Sequence, residues 1–285
     1  GQTARKKIIA RRGGYHGATR ATASLTGLDG NHQGFDLPLP FARHTAMPHY
    51  YRGAEAGESE EDYSARLADA LEAMILEEGP ETIAAMIAEP VMGAGGAVMP
   101  PRGYFPAIMA VLRRHGIALI DDEVICGFGR TGNWFGCQTY GFTPDAMSLA
   151  KALSSAYIPI SAVLLSPEMT ALVEEEARRL GTLGHGFTYS AHPVASAVAL
   201  KTIEIYEKRD IVGHVRRLAP AFAARFAALS AHPLVGEAQS VGLIGGVELV
   251  ADKAAKANFA KDAKVGLTCA RFCEQEGLIV RPLLN

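Results

Sequence analysis

Three residues stand where short apolar runs stop: Glu89 after residues 83–88, Asp122 within the acidic triplet that follows 117–120, and Lys151 after 146–150. A lysine in an apolar setting has a lowered pKa and acts as a nucleophile or base near neutral pH, and it can condense with a carbonyl compound. A buried carboxylate needs a cationic partner, and a protonated pyridine nitrogen would serve. A Schiff-base lysine and an acid opposite a pyridinium nitrogen are the two protein groups expected at a pyridoxal phosphate site. A structural Asp–Lys ion pair at a sheet edge accounts for the same two residues, and spacing alone does not separate these readings.

The elements that must position these residues follow from the pattern around them. Continuous apolar runs of this length, with a fourth at 160–165, suit strands buried on both faces of a parallel sheet. Between them, residues 62–78 place Leu67, Leu71, Met74 and Ile75 on one helical stripe, and residues 105–115 do the same with Ile108, Val111 and Leu112. Residues 194–208 read as a long helix with Pro193 in its first turn. The alternation predicts an α/β fold, a mostly parallel sheet flanked by helices. In such sheets ligands bind beyond the carboxyl ends of the strands, where Glu89, Asp122 and Lys151 fall. From about residue 211 the pattern changes: a helix rich in alanine and arginine to about 231, a strand at 243–250, a helix from about 260 to 276, and a strand at 278–281. Residues 1–210 are read as a large α/β domain and 211–285 as part of a small α+β domain.

Composition removes several other classes. The 285 residues carry 28 lysines and arginines against 30 aspartates and glutamates, so no basic excess points to nucleic acid. No run of 18 apolar residues predicts a membrane span, and the basic start has no following apolar region of a signal peptide. Cys126, Cys137, Cys269 and Cys273 form no CxxC pair and read as reduced thiols of a cytoplasmic protein. They lack the neighbouring ligands of a zinc site, so no metal is expected.

Five blocks carry a resemblance. They read GYHG from residue 14, AEPVMGAGG from 88, LIDDEVICGFGRTG from 119, SLAKALSSAYIPISAV from 148 and GHGFTYSAHP from 184. In this order they resemble the class III aminotransferases, fold type I pyridoxal phosphate enzymes, and in particular the omega-amino acid or amine:pyruvate transaminases. The resemblance covers essentially the whole chain. It implies that Lys151 is the Schiff-base lysine and proton shuttle, and that Asp122 keeps the pyridine nitrogen protonated. Val124 would pack on one ring face and Tyr15 stack on the other. Thr188 would reach the cofactor phosphate of a partner subunit, which implies a homodimer with sites at its interface. Glu89 matches a glutamate near the active site, and Arg281, in GLIVRPL, aligns with an arginine that binds a substrate carboxylate. His16 is read as structural, Asp121 and Glu123 as structural or loop-facing, and the GFGRTG and GAGG tracts as glycine-requiring turns.

The implied reaction moves an amino group from an amine or omega-amino acid to a keto acid such as pyruvate. An aminomutase, a decarboxylating transaminase or a non-catalytic relative would keep the same lysine and aspartate. A nicotinamide dehydrogenase is disfavoured, since no GxGxxG follows a strand. The family pattern also has a region before GYHG and more chain after Asn285, so the sequence reads as an internal part of a longer protein.

Overall fold

The computed structural model describes residues 2–283. In chain order the elements are β1 (Lys7–Arg11), α1 (Arg20–Leu25), β2 (Ala42–Thr45), α2 (Tyr50–Gly53), α3 (Glu60–Glu78), β3 (Ile83–Ala88), α4 (Tyr104–Arg114), β4 (Ala118–Asp122), α5 (Gly136–Tyr140), β5 (Ala146–Leu149), β6 (Ala162–Leu165), α6 (Pro167–Leu180), α7 (Pro193–Lys208), α8 (Ile211–Leu229), β7 (Val235–Val241), β8 (Ile244–Leu249) and α9 (Val265–Gln275). A six-stranded sheet has the order β2-β1-β3-β4-β5-β6. All its pairs are parallel except β5 with β6. The mostly parallel α/β sheet flanked by helices is therefore the fold.

Local chemistry sets the helix ends. Ser59 caps α3 by accepting the Asp62 N–H at 3.1 Å, and Glu60, Glu61 and Asp62 place negative charge at the positive end of the helix. Gly79 (φ 84°) and Pro80 stop it. The apolar stripe of α3 (Leu67, Leu71, Ile75) packs with Phe105, Ile108 and Leu112 of α4 over Ile83, Met86 and Leu119 of the sheet. Phe105 and Phe142 add a stacked ring pair. Each fully buried side chain of this kind contributes about 1.5–3 kcal/mol, so this layer holds β1, β3, β4 and β5 in fixed register.

The second sheet is a two-stranded ribbon, β7 with β8. The strand expected at 278–281 does not form; the segment after α9 has no strand partner among the described residues, and Ile279 is 90% exposed. Elements beyond the expected ones are present as well: β1, α1, β2 and α2 before α3, α5 between β4 and β5, α6 after β6, and the ribbon strand β7. The GFGRTG loop joins the two sheets: Leu243 N–H donates to Arg130 O at 2.9 Å, and Arg216 of α8 donates to Gly132 O at 2.6 Å. Gly242 is required there, because a Cβ would stand 2.3 Å from Arg130 O. No helix among the described residues is long and apolar enough to cross a membrane.

Candidate active site

Neighbouring strands β1, β3, β4 and β5 end on the same side, as parallel pairing requires, and their carboxyl ends deliver Tyr15 and His16, Glu89, Asp122 and Lys151. Asp122 closes β4 opposite Ser148 of β5 and is 5% exposed. Its Oδ1 accepts the Val124 N–H and the Ser148 Oγ–H, each at 3.2 Å. Its Oδ2 lies 2.8 Å from His16 Nδ1. A carboxylate only accepts, so His16 donates from Nδ1. His16, read from the sequence as structural, is thus in direct contact with Asp122. Its backbone N–H is held by Thr26 Oγ1 at 2.9 Å, and its Nε2 is buried without a partner among the described residues.

Glu89 follows β3 and is almost wholly buried. Its Oε1 accepts the Tyr15 N–H at 3.1 Å and its Oε2 the Gly93 N–H at 2.9 Å. Its own carbonyl accepts from Arg11 Nη2 at 2.5 Å. Burial pushes the Glu89 carboxyl up, and Arg11, His16 and the two N–H donors oppose that push. The residue is a clamp on the turn that carries Tyr15. That turn is close-packed on a second one: Gly13 N–H donates to Gly27 O, and Gly27 N–H to Gly14 O, both at 2.8 Å. A Cβ at Gly27 would stand 2.2 Å from Arg11 O, so only glycine fits. Tyr15 itself is 37% exposed.

Lys151 opens a short turn directly after β5, at φ 42°. A non-glycine residue in the left-handed region is strained, and such strain gathers at functional sites. The turn is tightened by Ser154, whose Oγ donates to Ile158 O at 2.6 Å. The apolar setting expected for Lys151 is not found: the side chain is exposed and has no ion-pair or hydrogen-bond partner among the described residues. Val124, next to Asp122, is half-buried. Thr188 is exposed in a turn held by Ser190, whose Oγ accepts the Phe187 N–H at 3.1 Å. Arg281 is exposed and contacts none of the other candidates. Of the two readings for Asp121 and Glu123, structural or loop-facing, burial leaves the structural one, because both are fully buried.

An unpaired lysine and a pinned, buried aspartate thus stand on adjacent strand ends of a fold type I transaminase fold. Comparison gives the family. The aminotransferase class-III model matches residues 1–284, and the chain belongs to that family. It is 50% identical over 281 residues to tomato (Solanum lycopersicum) gamma aminobutyrate transaminase 3, chloroplastic, covering 99% of this chain and 54% of the relative. The same identity holds against a probable gamma-aminobutyrate transaminase 3, mitochondrial, of Oryza sativa subsp. indica, with 99% and 55% covered. Among solved structures, a transaminase with L-ala superposes with TM-score 0.97 at 52% identity, covering 99% of this chain and 67% of that one. The omega transaminase of Pseudomonas jessenii in complex with PMP gives 0.96 at 50%, covering 99% and 62%. The chain spans about half the length of the curated relatives it matches.

These relatives correct the cytoplasmic location, since they are chloroplastic and mitochondrial proteins. Unpaired cysteines argue against an oxidising compartment but do not distinguish one reducing compartment from another. Class III aminotransferases use pyridoxal phosphate, and the residues here fit it. Asp122 has its charge held by three donors, Lys151 presents an uncommitted amine, and Tyr15 is exposed.

Proposed function

We propose that this chain carries the active site of a pyridoxal phosphate-dependent transaminase that moves an amino group from an amine or omega-amino acid to a keto acid such as pyruvate. The observation that carries the reading is Asp122, a buried carboxylate fixed by His16, Val124 and Ser148 beside the strand end that presents Lys151. The gamma-aminobutyrate transaminases among the relatives support an omega-amino acid donor.

When bound, pyridoxal phosphate supplies an electron sink for a carbanion at the substrate carbon. Lys151 Nζ would hold the cofactor covalently until the substrate amine displaces it. The freed Nζ would then be the base that takes a proton from the substrate carbon and the acid that returns it. Asp122 would pair with the protonated ring nitrogen. Tyr15, its backbone fixed by Glu89, would stack on one ring face, and Val124 would pack on the other. Thr188 serves the phosphate of a partner subunit, which makes the protein a homodimer. Residues 1–210 form the cofactor-binding domain and 211–285 part of a small domain. From that second part, Arg281 turns toward a substrate carboxylate and away when none is present; its planar fork grips a carboxylate by two hydrogen bonds.

The test is a donor screen with pyruvate as acceptor, run on the full-length protein. Lys151→Ala should abolish turnover, and Asp122→Asn should slow it by on the order of 10²–10⁴. Arg281→Ala should raise KM for pyruvate and spare a simple amine. Near-normal turnover by Lys151→Ala would end this reading.

A further inference from the structure

Asp121 and Glu123 flank Asp122 and have no part in the site described above. Side chains alternate along a strand, so the two share the face opposite Asp122. Both are sealed from solvent, Asp121 at 0% and Glu123 at 1% exposure. From α5, the Cys137 N–H donates to Glu123 Oε1 at 2.8 Å. One oxygen of each acid and Cys137 Sγ lie within 4.8 Å of one another. Both Asp121 oxygens and Glu123 Oε2 are buried without a hydrogen-bond partner among the described residues.

Two bare carboxylates in one dry space cannot both stay ionised. A cation would relieve them, but the groups acting most strongly on Asp121 are Glu123, Asp122 and Cys137. Glu89, beyond β3, adds to the same acidic surroundings, which with burial push the Cys126 thiol on the loop after β4 well up into its neutral form, and burial keeps Tyr140 of α5 neutral. A proton relieves them as well: one carboxyl O–H donated to the other acid satisfies two orphaned oxygens at once. Its resting place follows from the donors. Burial first, then the neighbouring negative charges, holds the Asp121 carboxyl far above the usual range. Burial also raises Glu123, but the N–H groups of Gly136 and Cys137 favour its charged form.

We propose that Asp121 is a neutral acid donating its proton to Glu123, and that this shared proton positions the site by leaving Asp122 as the ionised member facing the cofactor. The role assigned to Asp122 rests on the transaminase reading; the shared proton itself does not. The interaction between Asp121 and Asp122 is mutual. A negative Asp121 would set a like charge directly beside Asp122, behind the ring nitrogen it faces. The charge left on Glu123 is spent on pinning α5 through Cys137.

The test uses the holoenzyme and two readouts independent of turnover. In the infrared spectrum near neutral pH, a carbonyl band of a protonated carboxylic acid should be present, lost in Asp121→Asn and retained in Glu89→Gln. In thermal melts, Asp121→Asn keeps a donor to Glu123 but cannot ionise. The wild-type acid has its pKa raised on folding, so wild-type stability falls as pH rises above the unfolded value of 3.8. Asp121→Asn lacks that slope, and its Tm should exceed wild type by a margin that widens from pH 5 to pH 8, at up to ~tenfold in the folding equilibrium per pH unit. Asp121→Leu, which strips Glu123 of its donor, should lower Tm. A missing infrared band, a Tm gap that does not widen, or one equivalent of bound metal in elemental analysis would each overturn the proposal. A failed transamination assay with both readouts intact would count against the function alone.

Discussion

A carboxylate that must keep a ring nitrogen protonated has to stay charged and stay still. At Asp122, His16 supplies the one ring donor on Oδ2 and is itself sealed from water. Removing it leaves a buried acceptor unmet, at a cost of about 1–3 kcal/mol. His16→Ala should therefore lower Tm and weaken cofactor binding by ~10-fold, both measured on the purified full-length protein by melting and by absorbance titration. Unchanged cofactor affinity would show that Asp122 holds its place on Val124 and Ser148 alone. The residue types at 122 and 151 were readable because apolar runs deliver them to strand ends, and a lysine and an acid there restrict the chemistry. His16 was not readable, since its partner is 106 residues away. The one available signal was its place beside Tyr15, in a turn already assigned to the cofactor. The exposure of Lys151 was also hidden, for a strand's apolar run says nothing of what covers the turn after it.

Elements were legible where burial is two-sided. The run at β3 predicts its bounds, because every residue but one of Ile83–Ala88 is buried. The ribbon strand β7, VGEAQSV, is only half-buried, so no apolar period marks it. The run at 278–281 failed for the converse reason: apolar residues make a strand only when a neighbour takes their backbone hydrogen bonds. One contact between elements has a pH dependence. His49, at the start of α2, meets Glu237 of β7 at 3.1 Å and Glu248 of β8 at 3.2 Å. Beside it, Arg52 binds Glu248 and the carbonyl of Lys256. Burial alone would lower the His49 pKa, but its bonds to both glutamates outweigh that and raise it from 6.5 to about 9. A histidine raised on folding gives its stabilisation in full below the unfolded value and loses it as pH climbs through the folded one. Unscreened, a shift of this size would be worth ~3 kcal/mol; partly open to solvent, about 1–2 kcal/mol is expected. Between pH 6.5 and 9, urea unfolding should show wild type losing that much relative to His49→Gln. Parallel pH curves for the two proteins would mean that the ribbon docks on α2 without this charge.

At the scale of the whole molecule, one side is unfinished. Among the described residues β6 pairs only with β5, and Val163, Leu164 and Leu165 are exposed along it. The chain from 181 to 194 is exposed throughout, with Phe187 and Tyr189 among its open side chains. An open strand edge beside a broad apolar surface is a surface meant to be covered. Thr188 sits in the middle of this stretch, exposed and without a side-chain hydrogen bond among the described residues. If a partner subunit covers it, Thr188 serves the partner's phosphate, and a two-fold axis makes the exchange mutual. Complementation distinguishes this from action within one chain. Thr188→Ala should weaken cofactor binding by ~10-fold, the loss of one hydrogen bond to a charged group. Lys151→Ala should be inactive. Mixed and reassembled, a heterodimer of the two has one site with both defects and one with neither. Random pairing should then restore about one quarter of the wild-type sites. Activity at low cofactor concentration, set below what Thr188→Ala can bind, reads this directly. If the mixture shows no more activity than the sum of its parts, Thr188 works within its own subunit or not at all. The exposed face would then need another occupant.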